Sequence, residues 1–311
     1  MNEKSISGGV YVLIIFSMIF WGMSFVFSTI VLKYMDPFSI LFTRLLISCV
    51  FVWILTLLFY RKYVIRWSDI KMLAILAFFE PFLYFIGETF GLQRVSPTIT
   101  ALLISTIPVF TAITMYFVYK VKLLKINILG IALSFVGVVF MILGKNMAFV
   151  VDIVGLLLLF LAVFSAVCYG LVLTKVSAQI HPVWIIAVQN TFSLFMFLPL
   201  MLIYREPIKQ NSIPVFSTMS PQVELWGSLL VLAVFCSTLA FIFYTITVRQ
   251  IGITRSSVFT NLIPVITAIV SFLLLHENMT LNKLIGMLII VAGVMLSQWK
   301  KKTLSSLSKA E

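Results

Sequence analysis

Residues 98–113 read TITALLISTIPVFTAI, and residues 254–269 read TRSSVFTNLIPVITAI. Superposed at an offset of 156 residues, Thr98 meets Thr254, and Ile107-Pro108-Val109 meets Ile263-Pro264-Val265. Thr111-Ala112-Ile113 likewise meets Thr267-Ala268-Ile269, and the same offset carries Gly130 onto Gly286, Gly137 onto Gly293 and Val138 onto Val294. One shift that holds through two apolar segments and the loop between them marks an internal duplication. Each copy takes about half of the 311 residues.

Outward from this pair, the chain divides into apolar runs bounded by charges and turn residues. Ten are found: 10–32, 38–60, 72–92, 97–119, 126–143, 153–173, 183–204, 225–248, 256–275 and 281–298. A helix needs roughly 20 apolar residues to cross about 30 Å of hydrocarbon, and most of these runs supply them. Asp36-Pro37, Ser96-Pro97 and His181-Pro182 are helix-start signals, because proline fits a first helical turn and disfavours helix before it. A membrane β-barrel would instead show alternating segments of about ten residues. The predicted fold is an all-α multi-pass membrane protein of ten transmembrane helices. It comprises two five-helix repeats, residues 1–145 and 146–311. Five is odd, so the second repeat starts on the opposite side of the membrane and is inverted relative to the first. The one long loop, residues 205–224 with Pro207, Pro214 and Pro221, reads as a linker.

Composition agrees. Hydrophobic residues make up 62% of the chain and charged residues 10%, against about 45–50% and a quarter in an average globular protein. This excludes an ordinary soluble enzyme, a nucleic-acid binder and a disordered chain. The net charge of +12 reads as topology. With the amino terminus inside, cytoplasmic segments hold fifteen Lys and Arg and outer loops six, which places both termini in the cytoplasm and the protein in the cell membrane. The basic run after Trp299 can also contact anionic lipid. The apolar run after the amino terminus is too long for a signal peptide and is expected to stay in the mature protein. Two histidines and three cysteines at no ligand spacing predict no metal and no cofactor. Gly8-Gly9 is followed by no P-loop, so ATP is not the energy source.

Phe20-Trp21-Gly22-Met23-Ser24-Phe25, Arg44-Leu45-Leu46 and the two proline-centred runs carry a family likeness. So does Leu275-His276-Glu277 followed by Leu284-Ile285-Gly286 and Val291-Ala292-Gly293. Together, over nearly the whole chain, they resemble the drug/metabolite transporter superfamily in its ten-helix EamA-type members. The resemblance implies a plasma-membrane carrier or exporter of small metabolites with a central cavity between the halves. One departure is visible: Glu277, which ends helix 9, is answered in the first half by Val121.

Charges within lipid are costly and default to functional roles. Arg44 falls roughly 9 Å and Glu88 roughly 6 Å below the outer ends of their helices, so an Arg44–Glu88 ion pair is expected. Glu80 falls roughly 18 Å below the outer face, with no basic residue predicted at that depth, which makes it the proton-coupling candidate. Glu80, Tyr84 and Glu88 recur every four residues and share one helix face. Arg44 joins them as a substrate or coupling candidate. Trp21, Tyr169, Gln189, Asn190 and Asn261 are cavity-lining candidates. Pro108 and Pro264, at equivalent positions, are hinge candidates. Gly87-xxx-Gly91 and Ala162-xxx-Ala166-xxx-Gly170 are small-residue faces for close helix packing, and the 29 phenylalanines read as lipid-facing or bundle filler. The expected function is secondary-active export of a small organic metabolite, such as an amino acid or a drug-like compound, by alternating access. An importer or exchanger of the same fold stands as the alternative, and a membrane enzyme or receptor stands further off, since no nucleophile, metal site or acid pair converges.

Overall fold

The computed structural model describes residues 8–61, 63, 66–120, 124–142, 152–209, 213–216 and 219–297. Among these, all regular structure is helical. Helix 1 is Gly8–Val31, helix 2 Pro37–Phe59, helix 5 Lys125–Ile142, helix 6 Ile153–Gln179, helix 7 Pro182–Tyr204 and helix 10 Leu281–Ser297. The remaining four are interrupted. Helix 3 runs through Trp67–Ala77, Phe78–Leu83 and Tyr84–Leu92, and helix 4 through Pro97–Ile104 and Ile107–Tyr119. Helix 8 joins Pro221–Leu230, Val231–Leu239 and Ala240–Ile251, and helix 9 joins Ile253–Ser256, Ser257–Asn261 and Leu262–Leu275. Seven of the ten are long and apolar enough to cross a membrane, and helices 5, 9 and 10 are shorter apolar helices. Their outward residues, such as Leu57, Leu58, Phe59, Phe195 and Leu288, are large, apolar and exposed.

The proline starts act as the sequence chemistry requires. Asp36, Ser96 and Ser220 each accept a backbone N–H in the first turn, and a proline follows each of them. Asp152 caps helix 6 through Gly155 N at 2.8 Å. Because Ser220-Pro221 starts helix 8, that helix begins inside the segment expected to be a linker. Buried Glu224 then accepts from Tyr34 Oη (2.8 Å) and Phe216 N (2.7 Å), and Lys209 N donates to the Tyr34 carbonyl at 2.9 Å. The connection is thus strapped to the turn between helices 1 and 2. The boundary at 145/146, Val121 and the basic run after Trp299 lie outside the described residues.

Helix 2 packs on helix 7 and helix 5 on helix 10; helix 1 packs on helices 8 and 9, and helix 6 on helices 3 and 4. Exchanging the two repeats leaves this pattern unchanged. Between helices 5 and 10 the backbones touch. A Cβ at Gly130 would meet the Gly293 carbonyl at 2.6 Å, and one at Gly293 would meet Ser134 N at 2.5 Å, so only glycine fits. The small face predicted on helix 3 packs on helix 6, Gly87 against Leu158 and Ala162 and Gly91 against Gly155 and Leu159. Of the face predicted on helix 6 only Ala162 takes part; Ala166 and Gly170 line the cavity and Gly170 faces Ile253.

The interruptions are paired as well. The offset of 156 places the helix 3 irregularity, Phe78–Leu83, within that of helix 8, Val231–Leu239. The helix 8 segment is wound wider than an α-helix, a form that recurs at functional sites, whereas the helix 3 segment is a kink at Glu80. In helices 4 and 9 the regular hydrogen bonding fails just before Pro108 and Pro264, at Ser105-Thr106 and Ser257–Asn261. Proline lacks the N–H that would close the preceding turn, and Thr106 and Thr260 instead turn their hydroxyls onto the carbonyls of Leu103 and Ser257 at 2.6 Å.

Candidate functional site

Helix 3 reads as one continuous helix in the sequence, and here the structure differs. Pro81 cannot donate to the Ala77 carbonyl, and a residue before proline is pushed out of the α region. Glu80 accordingly adopts φ −147° and ψ 124° inside the helix, and its peptide bond to Pro81 is cis. The carbonyls at the break are satisfied from other helices, as the membrane interior demands. Ser193 of helix 7 donates to the Ala77 carbonyl at 2.9 Å, and Ser165 of helix 6 donates to that of Phe79. Helix 8 is treated alike: Ser17 of helix 1 donates to the Ala240 carbonyl at 2.7 Å.

The breaks surround a cavity with about 770 Å³ of empty space, counting its open mouth. Glu80, Tyr84, Glu88 and Arg44 all line it, with Trp21 and Tyr169. Glu80 and Glu88 are 7% and 2% exposed, and among the described residues neither carboxylate has a hydrogen-bond or ion-pair partner.

Arg44 does not form the expected ion pair with Glu88. Its Nε donates to Ser237 Oγ in the irregular part of helix 8, and its guanidinium covers the Phe85 ring at 4.2 Å from the centroid. It remains within electrostatic reach of both glutamates, so Glu80 is not the isolated charge that its depth suggests. The cause is the fold itself, which brings helix 2 against helix 8 and turns the long arginine side chain into the shared cavity.

Three predicted lining residues stand behind the wall. Asn190 Nδ2 donates to Ser48 Oγ at 2.9 Å, and Ser48 shares a 2.6 Å bond with Thr238, which ties helices 2, 7 and 8. Gln189 Oε1 accepts from Tyr169 Oη at 3.5 Å, so it backs a lining residue. Asn261 is buried in the irregular turn before Pro264, and neither of its amide atoms has a partner among the described residues. Pro108 and Pro264 flank the cavity through their neighbours Ile107 and Ile263. Sequence reasoning missed Phe85, Phe241 and Tyr244, read as filler or not singled out. Trp21 sits 5.1 Å from Phe241 and 4.9 Å from Tyr244 between ring centroids. Only the packing of helix 1 on helix 8 reveals that wall.

A second polar node lies at one end of the bundle. Glu277 accepts from Thr98 Oγ1 (2.8 Å), Ser271 Oγ (2.6 Å) and Lys283 Nζ (2.8 Å). It ties the start of helix 4 to the loop between helices 9 and 10.

A duplicated helical membrane fold with a central, ionisable cavity defines a class of transport protein. The EamA-like transporter family model matches residues 9–143 and again 153–299, and the chain belongs to that family. It is 27% identical to the transporter YetK of Bacillus subtilis over 78% of this chain and 72% of that one. It is 25% identical to a transporter of Archaeoglobus fulgidus over 97% and 99% of the two chains. A solved crystal structure is similar at a TM-score of 0.66 and 13% identity, covering 93% of this chain and 98% of its own, a likeness of fold alone.

Proposed function

We propose that the chain is a secondary-active carrier that exports a small organic metabolite, an amino acid or a drug-like compound, by alternating access. Protons are coupled through Glu80 and Glu88. The observation that carries this reading is the pair of buried carboxylates with no hydrogen-bond or ion-pair partner among the described residues, one of them at a break in its helix, facing a cavity walled by both repeats. Ionisable groups inside a membrane bundle are retained for substrate or proton pathways. Broken helices meeting at a cavity between repeats are the recurring architecture of secondary transporters. Inversion of the second repeat would give two arrangements of similar energy, one open to each side. On the expected topology, the Thr98–Glu277 bond belongs to the outer face, which favours an arrangement closed there.

The test starts with a metabolite screen on purified protein, in which a bound compound raises the melting temperature. The hit is then followed into vesicles with and without a pH gradient. Wild-type flux should be driven by the gradient, and Glu80→Gln should lose at least tenfold of that stimulation. Normal transport by Glu80→Gln, with and without the gradient, would rule out coupling through this residue.

A further inference from the structure

The cavity's wall specifies the charge of what it holds, and we propose that its ligand is an organic monocation with an aromatic or bulky apolar body. This rests on the carrier reading above and deepens it. Two carboxylates face the cavity against one guanidinium; with both ionised, one negative charge is left for a ligand to balance. One N–H and one face of the guanidinium are already engaged: Arg44 is 2% exposed, with Nε on Ser237 and one face on Phe85. Three hydroxyl hydrogens along the wall are engaged too. Ser24 donates to the Trp21 carbonyl (2.7 Å), Thr111 to that of Ile107 (2.9 Å) and Thr260 to that of Ser257 (2.6 Å). What these hydroxyls offer inward is lone pairs.

Much of the remaining wall is aromatic, with Ile104, Ile107, Ile253 and Ile263 beside it. The rings of Trp21, Tyr84, Tyr169, Phe241 and Tyr244 line the same cavity as the carboxylates, and Tyr169 lies 6.3 Å from Phe241 between ring centroids. Ring faces attract cations, most strongly where water is excluded. Carboxylates, hydroxyl lone pairs and ring faces are all complementary to positive charge. An anion would meet two like charges against a single counter-charge.

The test is calorimetric binding to the full chain in lipid nanodiscs, using three probes of nearly one shape. They are benzyltrimethylammonium, its uncharged carbon isostere neopentylbenzene, and the anion 3-phenylpropionate. The cation should bind at least tenfold more tightly than either of the others. Glu80→Gln and Glu88→Gln should each weaken it at least tenfold, and Trp21→Leu severalfold. The wild-type ranking decides the matter even if a variant fails to fold. An anion that binds as tightly as the cation, or a cation with no tenfold advantage over its isostere, would overturn the proposal. Flux in vesicles separates the two readings. Cation binding without flux refutes the carrier and leaves the charge assignment supported. Flux of anionic or neutral solutes with no preference for the cation refutes the charge assignment and leaves the carrier.

Discussion

Glu277 shows how much a single side chain carries in this molecule. Burial pushes its carboxyl upward, but the bonds from Lys283, Ser271, Ser96 and Thr98 together outweigh that and hold it below the ordinary carboxylate range. A carboxyl depressed in the folded state stabilises the fold fully above its unfolded value of about 4.3. That contribution is lost as pH falls through the lowered folded value. Glu277→Gln should therefore cost roughly 1–3 kcal/mol at pH 7, the scale for losing charge-assisted bonds. The cost should show as a lower melting temperature in detergent, and the gap from wild type should close as the pH is taken below about 4. A variant that melts with wild type at pH 7 would show that the node is not holding helices 4, 9 and 10 together. Glu277 stood out in the sequence for its missing counterpart, Val121, but its partners did not. Thr98 is 179 residues away, and no local pattern joins the two.

At the scale of elements, the helix 3 break is set by Pro81 and Glu80 together. Replacing Pro81 with Ala returns an N–H that can bond the Ala77 carbonyl, now held by Ser193. The expected outcome is a straighter helix 3 that still folds but turns Glu80 away from the cavity. Pro81→Ala should keep its melting temperature within a few degrees and lose substrate-induced stabilisation at least tenfold in affinity; a variant that binds normally would show the break to be passive. The ten apolar runs and their starts were legible because hydrocarbon thickness and proline chemistry act locally. The 156-residue offset was legible because helices 4, 5, 9 and 10 kept their residues. Pro81 carried a signal too, an X-Pro pair within an apolar run, but the smooth hydropathy of 72–92 hides it. The irregularity of helix 8 has no proline and no such mark. Arg44 and Glu88 agree in depth, and depth alone predicts a pair. Rotation about each helix, set by packing on helices 6 and 8, decides otherwise.

At the scale of the whole molecule, the two repeats are stitched by reciprocal bonds. Ser165, on the first helix of the second repeat, donates to Phe79 on the third helix of the first; Ser17, on the first helix of the first repeat, donates to Ala240 on the third helix of the second. Helices 5 and 10 add the glycine seam and helices 2 and 7 their own pairing. Neither half is therefore self-sufficient, since each presents open carbonyls that its sibling must fill, at several kcal/mol apiece in hydrocarbon. Produced as separate fragments, residues 1–145 and 146–311 should be degraded alone and accumulate as a copurifying pair when made together, and a fragment stable by itself would contradict this. A duplication built in this way is a bond of mutual dependence: once each copy lends the other its serine, neither can be deleted or drift alone, although the two remain free to differ at every position facing the cavity.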